Sequence, residues 1–207
     1  MAETMKDLVA LAADGSMEKV LQGIFSRPGS LKIRPFSCDI FVHPQRDPGC
    51  LTRGHDFLKP FRKSHRHALV VFDYEGCGRE SATPGELEAE VTARLAATGW
   101  ESRAEVVVIA PELEIWVWSE SPHVDEALGW KARPPGLRPW LKEKGFLAAG
   151  HGKPAQPKEA VEKALRTASK PRSSAIYQKL AETVTLSACT DPSFQKLRSV
   201  LVSWFGE

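Results

Sequence analysis

The chain has 207 residues, a formal net charge of +2 and 26% charged residues. A chain of this length can bury a sizeable core, and its small net charge does not by itself indicate a polyanionic partner. No apolar run approaches the length of a membrane helix and the N-terminus lacks a signal-peptide pattern, so we expect a cytoplasmic protein with no membrane partner.

The first half of the chain predicts strands that alternate with helices. The predicted strands cover residues 7–13, 38–43, 67–72 and 104–110, and the predicted helices cover residues 16–26, 53–62, 84–98 and 112–119. This alternation is typical of an α/β fold with a mainly parallel sheet flanked by helices. The rest of the pattern is helical, with candidate helices at residues 122–129, 136–144, 157–169, 173–186 and 191–205.

A stretch rich in Gly and Pro at residues 150–157 has the composition of a linker. We therefore expect an α/β core over residues 1–150. Residues 151–207 are expected to form a helical C-terminal extension that packs on this core.

Acidic side chains follow three of the four predicted strands. Asp14 comes after the first strand and opens a helix, and Asp73 and Glu75 come directly after the third strand. After the fourth strand, Pro111 is predicted to begin a helix whose first turn contains Glu112 and Glu114. Because parallel strands of an open α/β sheet end at one edge, we expect these carboxylates to converge there.

Each of these acids also has an ordinary structural interpretation. Asp73 and Glu75 are also explained as acidic residues of a surface loop that contains the glycine-rich turn at residues 75–78. Glu112 and Glu114 are also explained by a favourable interaction of their charges with a helix dipole. The convergence of three strand ends favours a metal site instead. Carboxylate oxygens are the hard ligands that Mg²⁺ and Mn²⁺ prefer.

The order and spacing of these motifs resemble the Toprim-like proteins of the group that includes the domain of unknown function 4276. The ordered set is Asp14-Gly15-x-x-Glu18, then Asp73-x-Glu75, then Ala110-Pro-Glu112-Leu-Glu114-x-Trp116. The runs at residues 43–50, 72–80, 116–125 and 170–177 are most similar to the small Toprim-like proteins of bacterial methylation-associated defence systems. The resemblance extends from about residue 7 to residue 204.

This resemblance implies a Toprim-like sheet whose C-terminal edge gathers acids around Mg²⁺ or Mn²⁺. It also implies a nuclease that hydrolyses phosphodiesters of DNA or RNA as part of an anti-phage defence system with other subunits. In that role Asp73 and Glu75 hold the metal, Asp14 or Glu112 accepts a proton or completes a second metal site, and Glu114 is a further ligand candidate.

Two departures from the Toprim pattern leave an alternative open. Toprim nucleases usually carry Glu where this chain has Asp14, and Asp-x-Asp where it has Asp73-x-Glu75. The alternative is a non-catalytic subunit that binds nucleic acid or protein in a defence complex. A third possibility, a phosphatase of the haloacid dehalogenase type with Asp73 as nucleophile, ranks last because that motif normally lies near the N-terminus with Asp at its second position.

Two concentrations of basic residues are candidates to face a polyanion. One lies at residues 59–67 and the other at residues 153–179. In the second, the residues expected to contact phosphate or nucleic acid are Lys153, Lys158, Lys170, Arg172 and Ser173. The run from Lys170 to Ser173 places basic side chains and a hydroxyl before a helix start, where backbone N–H groups also bind phosphate. A solvated helix face is the alternative.

Two other residue sets have possible ligand roles. Cys38, His43, Cys50 and His55 are possible zinc ligands, but their spacing fits no common zinc motif, and buried thiols with loop histidines are the favoured interpretation. The positions of the six Trp residues favour a role in core packing over stacking with nucleic-acid bases. The sequence distinguishes these two roles least clearly for Trp130 and Trp140.

Overall fold

The computed structural model describes residues 5–206, which contain a four-stranded sheet flanked by helices. The strands are β1 (Lys6–Ala12), β2 (Cys38–Val42), β3 (His65–Asp73) and β4 (Ala104–Ile109). Their order is β2-β1-β3-β4, and all three pairings are parallel. The predicted fold class, α/β with a parallel sheet flanked by helices and a helical C-terminal extension, is confirmed.

Helices connect the strands, and the elements that follow β4 up to Phe205 are helical. The α-helices are α1 (Gly15–Phe25), α2 (Pro28–Leu31), α3 (Arg46–Leu58), α4 (Pro84–Leu95), α5 (Pro122–Ala127), α6 (Leu137–Glu143), α7 (Pro157–Thr167), α8 (Ser174–Thr183) and α9 (Pro192–Phe205). The 3₁₀ segments are Lys59–Lys63, Leu113–Trp116 and Leu186–Ala188, and a π-helical turn covers Ala96–Trp100.

The central strands β1 and β3 are buried because both faces of the sheet are covered there. Residues 8–12 of β1 and residues 68–72 of β3 are almost wholly inaccessible to solvent and consist only of apolar side chains. Continuous apolar runs of this kind are typical of parallel strands with helices on both faces. The same pattern made β1 and β3 predictable from the sequence.

The chain direction across the sheet reverses between β1 and β3. From β1 the chain moves to one side to form β2, and it then returns to the other side of β1 to form β3 and β4. In open α/β sheets, the crevice at the carboxyl ends of the strands beside such a reversal is the usual ligand-binding position. The loops after β1 and β3 lie there.

The C-terminal helices pack against the sheet domain through α8. Helix α8 lies against α1, where a Cβ atom added to Gly23 would come within 2.7 Å of the Ala181 side chain. The absence of a side chain at Gly23 therefore permits the close approach of the two helices. In the described residues 5–206, the structure contains no helix that is both long and apolar enough to cross a membrane.

Two predicted helix boundaries are wrong. The helix expected at residues 53–62 begins at Arg46, and Pro48 lies in the first turn of α3, where proline is tolerated. The helix expected at residues 112–119 is a single 3₁₀ turn from Leu113 to Trp116. Glu112 precedes that turn in an extended conformation, and its ion pair to α7 holds it there.

Candidate metal site

Asp14 is held at the beginning of α1 by a capping hydrogen bond. Its Oδ1 accepts a hydrogen bond of 2.8 Å from the backbone N–H of Met17. Asp14 has an extended backbone and ends the loop from β1, which is the usual geometry of an acidic N-cap. The carboxylate is therefore fixed at the carboxyl edge of the sheet.

Asp73 lies beside Asp14 because of the strand register. Ala12 of β1 pairs with Val71 of β3, and Asp14 and Asp73 each follow this pair by two residues. Asp73 is the last residue of β3, and its Oδ1 accepts a hydrogen bond of 2.9 Å from the backbone N–H of Leu113. Its carboxylate is thus oriented by the loop that follows β4.

A third carboxylate, that of Asp47, reaches the same place from the start of α3. Its Oδ1 accepts a hydrogen bond of 2.8 Å from the backbone N–H of Asp73. Asp14, Asp47 and Asp73 are therefore all oriented by a backbone N–H group through Oδ1. We call these three residues the aspartate cluster.

The second oxygen of each residue in the aspartate cluster is free for a ligand. Within residues 5–206, none of the three Oδ2 atoms makes a hydrogen bond to another protein group, and none of the three side chains forms an ion pair. Because no cationic side chain of the described residues pairs with these carboxylates, their negative charges are uncompensated and repel one another.

The pKa values of Asp73 and Asp47 are raised, first by burial and then by neighbouring negative charges. Burial raises the pKa of Asp73 well above its usual range, and the negative charges of Asp47, Glu114, Asp14 and Glu112 raise it further. Burial also raises the pKa of Asp47, with Asp14 adding to the shift and Lys158 opposing it. A bound cation would relieve both effects.

Glu112 contributes to this negative field, but its own charge is paired. The residue is 6% exposed, and its Oε2 lies 3.3 Å from the Nζ of Lys158. Its Oε1 accepts a hydrogen bond of 3.1 Å from the backbone N–H of Lys158, at the start of α7. Burial raises the pKa of Glu112, the charge of Glu114 adds to this shift and Lys158 opposes it.

Glu114 is more firmly held than Glu112. It is 3% exposed, and its Oε1 accepts hydrogen bonds of 2.8 Å from Arg172 and 2.7 Å from the hydroxyl of Tyr177. Arg172 also pairs with Glu162 at 2.7 Å and donates from Nε to the Tyr177 oxygen at 3.1 Å. The C-terminal extension therefore anchors the loop after β4 at both Glu112 and Glu114.

Glu75 lies in the exposed turn after β3, apart from this network. Its backbone N–H donates a hydrogen bond of 2.9 Å to the carbonyl oxygen of Pro111. Among the described residues its side chain makes no hydrogen bond or ion pair, and it is not among the charges that raise the pKa of Asp73. Of the acids expected to converge, Asp14, Glu112 and Glu114 lie near enough to Asp73 for their charges to raise its pKa, and Glu75 is not among those charges.

The basic residues expected to contact phosphate divide into two groups. Three form ion pairs within the protein: Lys153 with Asp191 at 3.4 Å, Lys158 with Glu112 and Arg172 with Glu114 and Glu162. Lys170 forms no ion pair with a described residue. Ser173 is exposed at the start of α8, where its side chain makes no capping hydrogen bond.

Asp47 is the site residue that sequence analysis did not select. The available signal was its position after strand β2 and before Pro48, which repeats the pattern of an acid that follows a strand and opens a helix. The boundary error in α3 hid this signal, since residues 46–52 were expected to form a loop.

The arrangement of donors fits a cation held by few protein ligands. In the described part of the chain no group of three or more His, Cys, Asp or Glu residues has a geometry that could by itself hold a metal ion. This includes Cys38, His43, Cys50 and His55; Nδ1 of His43 instead accepts a hydrogen bond of 3.1 Å from the N–H of Gln45. Mg²⁺ commonly uses only one or two carboxylates, together with water and substrate phosphate, and the free oxygens of the aspartate cluster fit that mode.

Comparisons of the chain with protein-family models, with curated proteins and with solved structures return no match.

Proposed function

We propose that this protein is a divalent-cation-dependent nuclease whose cation site is the aspartate cluster. The observation that carries the proposal is the set of three oriented and uncompensated carboxylates at the reversal of strand order. Each has one oxygen fixed by a backbone N–H group and one oxygen without a hydrogen-bond partner among residues 5–206. Preorganised acids without a positive partner favour a cation ligand over a purely structural role.

The cation proposed here is Mg²⁺ or Mn²⁺, held by Asp73 together with Asp14 or Asp47. When bound, such a cation would polarise a phosphate oxygen and lower the pKa of a coordinated water. Asp73 orients the site from β3, because its carboxylate is fixed by the Leu113 N–H. Whichever of Asp14 and Asp47 does not bind the cation is available to accept a proton from the attacking water.

A phosphodiester is the proposed substrate because cationic side chains lie beside the acids. Lys158 pairs with Glu112, and Arg172 pairs with Glu114 and Glu162, so these glutamates add less negative charge beside the aspartate cluster than unpaired ones would. This pairing reduces the repulsion between the acids and an approaching phosphate. The resemblance to Toprim-like proteins supports the same substrate class and a role in an anti-phage defence system.

A second candidate function is a non-catalytic subunit that binds nucleic acid or protein in a defence complex. The observation that favours it is the engagement of Glu112 and Glu114 in ion pairs, which leaves two of the five expected metal ligands occupied by Lys158 and Arg172. In that case the aspartate cluster would be a remnant with no turnover. A cytoplasmic location is proposed for either function, because all four cysteines are free thiols, as expected in a reducing compartment.

The test is cleavage of labelled single-stranded and double-stranded DNA and RNA with Mg²⁺, Mn²⁺ or EDTA. We expect cleavage that requires the cation and disappears in Asp73→Asn, with Glu75→Gln as the matched control from the same loop. Cation binding without cleavage of any of these nucleic acids would favour the non-catalytic subunit. Release of phosphate from a small phosphomonoester instead would favour a phosphatase.

A further inference from the structure

Helix α7 turns a row of unpaired cations toward solvent. Its buried face consists of Pro157, Ala160, Val161, Ala164 and Leu165. Lys163 and Arg166 lie on the opposite, exposed face, and Lys170, which is partly exposed, lies three residues after the end of the helix. We call Lys163, Arg166 and Lys170 the basic row. None of the three forms an ion pair with a residue of the described chain.

The position of each member of the basic row is set by the backbone. Lys163 and Arg166 are three residues apart on a helix, which places their Cβ atoms about 5–6 Å from each other. The backbone N–H of Lys170 donates a hydrogen bond of 2.9 Å to the carbonyl oxygen of Leu165, so the chain after α7 stays against the helix end. The three basic residues therefore lie close together along α7 and beside its C-terminal end.

The basic row lies next to the candidate metal site. Helix α7 starts at the Lys158–Glu112 ion pair and packs against the 3₁₀ turn that contains Glu114. At its other end, Arg166 and Lys170 line a shallow groove together with Arg172, which binds Glu114 directly. A chain of phosphates that follows the row would thus arrive beside the loop that orients Asp73.

The charge on this face is unbalanced because its nearest acids are few. Glu162 lies 2.7 Å from Arg172, which it shares with Glu114, so this one cation balances only one of the two acids. Glu159 is exposed one turn before Lys163 and adds a further negative charge. The three cations of the row and Arg172 thus face the three acids Glu114, Glu159 and Glu162, which leaves a local positive excess of one charge.

The basic row has no aromatic side chain suited to base stacking. Trp130 and Trp140, the two tryptophans whose role the sequence left open, are 2% and 6% exposed. The exposed large hydrophobic residues of the described chain are Met5, Val42 and Val202, none of which is aromatic. Recognition at this face must therefore use the phosphate backbone, which carries no sequence information.

We infer that the basic row is the track on which the phosphodiester backbone of a nucleic acid lies as it enters the metal site. This inference rests on the proposed function and names new contact residues, Lys163 and Arg166, beside Lys170. Three of the cations first expected to bind phosphate, Lys153, Lys158 and Arg172, instead have carboxylate partners. Binding along the row is predicted to depend steeply on salt and little on base sequence.

The experiment measures the affinity for a labelled oligonucleotide in EDTA at several salt concentrations. The test variant is Lys163→Gln, Arg166→Gln, Lys170→Gln, and the control is Lys59→Gln, Lys63→Gln, Arg66→Gln. Both variants remove two lysines and one arginine, and the control residues lie at or just before the start of β3, whereas Asp73 ends that strand. The strand has 9 residues, so it separates the two places by about 25 Å.

The expected result is a change in the salt dependence of binding for the test variant only. Loss of three phosphate contacts reduces the slope of log K against log[salt] by about 2 for a single strand and about 3 for a duplex. For a single strand, the affinity of wild type should therefore fall about 20-fold more than that of the test variant between 50 and 200 mM salt. Glu159→Gln, which removes the opposing acid, should bind more tightly than wild type.

Equal slopes for the test variant and wild type, or an equal reduction in the control variant, would overturn the inference. Because the measurement is made in EDTA, it does not depend on cleavage. Salt-dependent binding through the row by a protein that binds no cation would contradict the proposed nuclease but support the track. Cation-dependent cleavage, together with a salt dependence of binding that the test variant leaves unchanged, would support the proposed nuclease and contradict the track.

Discussion

The backbone N–H of Asp73 donates a hydrogen bond of 2.8 Å to the carboxylate of Asp47, although the two residues belong to different strand-to-helix connections and are 26 positions apart. This bond joins the end of β3 to the start of α3. It places one carboxylate against another acidic residue at the sheet edge. Burial raises the pKa of both side chains, and the charge of Asp47 raises that of Asp73 further.

The first prediction concerns Asp47, which the hydrogen bond places in the site. Asp47→Asn should weaken Mn²⁺ binding about 10- to 100-fold, because it removes one negative charge from the site, although the Asn Oδ1 can still accept the hydrogen bond from the Asp73 N–H. Asp56→Asn is the matched control, since Asp56 lies on the same helix, is exposed and pairs only with neighbouring surface residues. Calorimetric titration measures both, and equal affinities for the two variants would remove Asp47 from the site.

The second prediction is that cation binding depends on pH through Asp73. The pKa of this carboxyl is raised in the folded protein, so a larger fraction is protonated at a given pH than for an ordinary aspartate. A cation must displace that proton, so affinity should increase as pH rises through the folded pKa of Asp73, with proton release. Titrations in two buffers of different ionisation enthalpy measure the released protons. Binding heats that do not depend on the buffer would contradict this coupling.

The same raised pKa has a consequence for stability. A carboxyl whose pKa is higher in the folded state favours folding at low pH and loses that contribution as pH rises through the folded value. Asp73→Asn should therefore unfold at a higher denaturant concentration than wild type at neutral pH without cations, and the difference should shrink in acid. Denaturant unfolding at a series of pH values tests this. A variant less stable than wild type at neutral pH would show that the charged form is stabilised by a group other than a cation.

The third prediction concerns the pairing of Arg172 with Glu114. Arg172→Met should destabilise the protein by about 2–3 kcal/mol, because Glu114 is 3% exposed and would retain only the Tyr177 hydroxyl as a partner. The double variant Arg172→Met, Glu114→Gln should recover part of this loss by removing the unpaired charge.

Urea unfolding measures these differences, with Arg166→Met as the matched control. Arg166 is exposed and without an ion-pair partner in the described chain, so its substitution should change the free energy of unfolding by less than about 0.5 kcal/mol. If the double variant is as unstable as Arg172→Met alone, the loss comes from packing of the arginine and not from the buried charge.

The fourth prediction concerns the contact between α1 and the C-terminal extension. Gly23→Ala should cost about 1–3 kcal/mol, because the new Cβ would lie 2.7 Å from the side chain of Ala181 and 2.9 Å from the carbonyl oxygen of Gln178. Gly15→Ala is the control on the same helix, where no atom lies within 4 Å of the new Cβ. Thermal unfolding should show a lower midpoint only for Gly23→Ala, and equal midpoints would indicate that α8 can shift away freely.

The sequence predicted the sheet because its strands have an unambiguous pattern. Residues 8–12 and 68–72 are continuous apolar runs, as expected for parallel strands with both faces covered, and each is followed by an acid. The start of α3 was missed because Pro48 and Gly49 lower helix propensity in its first turns. Gly49 is nevertheless required there, since the side chain of His43 occupies the space that a Cβ would need.

The partners of Glu112 and Glu114 could not be predicted from local sequence. Glu114 is separated from Arg172 by 58 positions, and only the fold of the C-terminal extension brings the two together. The sequence identified Arg172 as basic and Glu114 as acidic, and thus as candidates for phosphate and metal. Their pairing with each other follows from a tertiary contact that neither local motif encodes.

The most direct test of the account is calorimetric titration of the wild-type protein with Mn²⁺ beside Asp73→Asn and Glu75→Gln. The account predicts saturable binding to wild type and to Glu75→Gln, and binding that is lost or at least 10-fold weaker in Asp73→Asn. No binding to wild type, or the same affinity in Asp73→Asn, would contradict a cation site in the aspartate cluster.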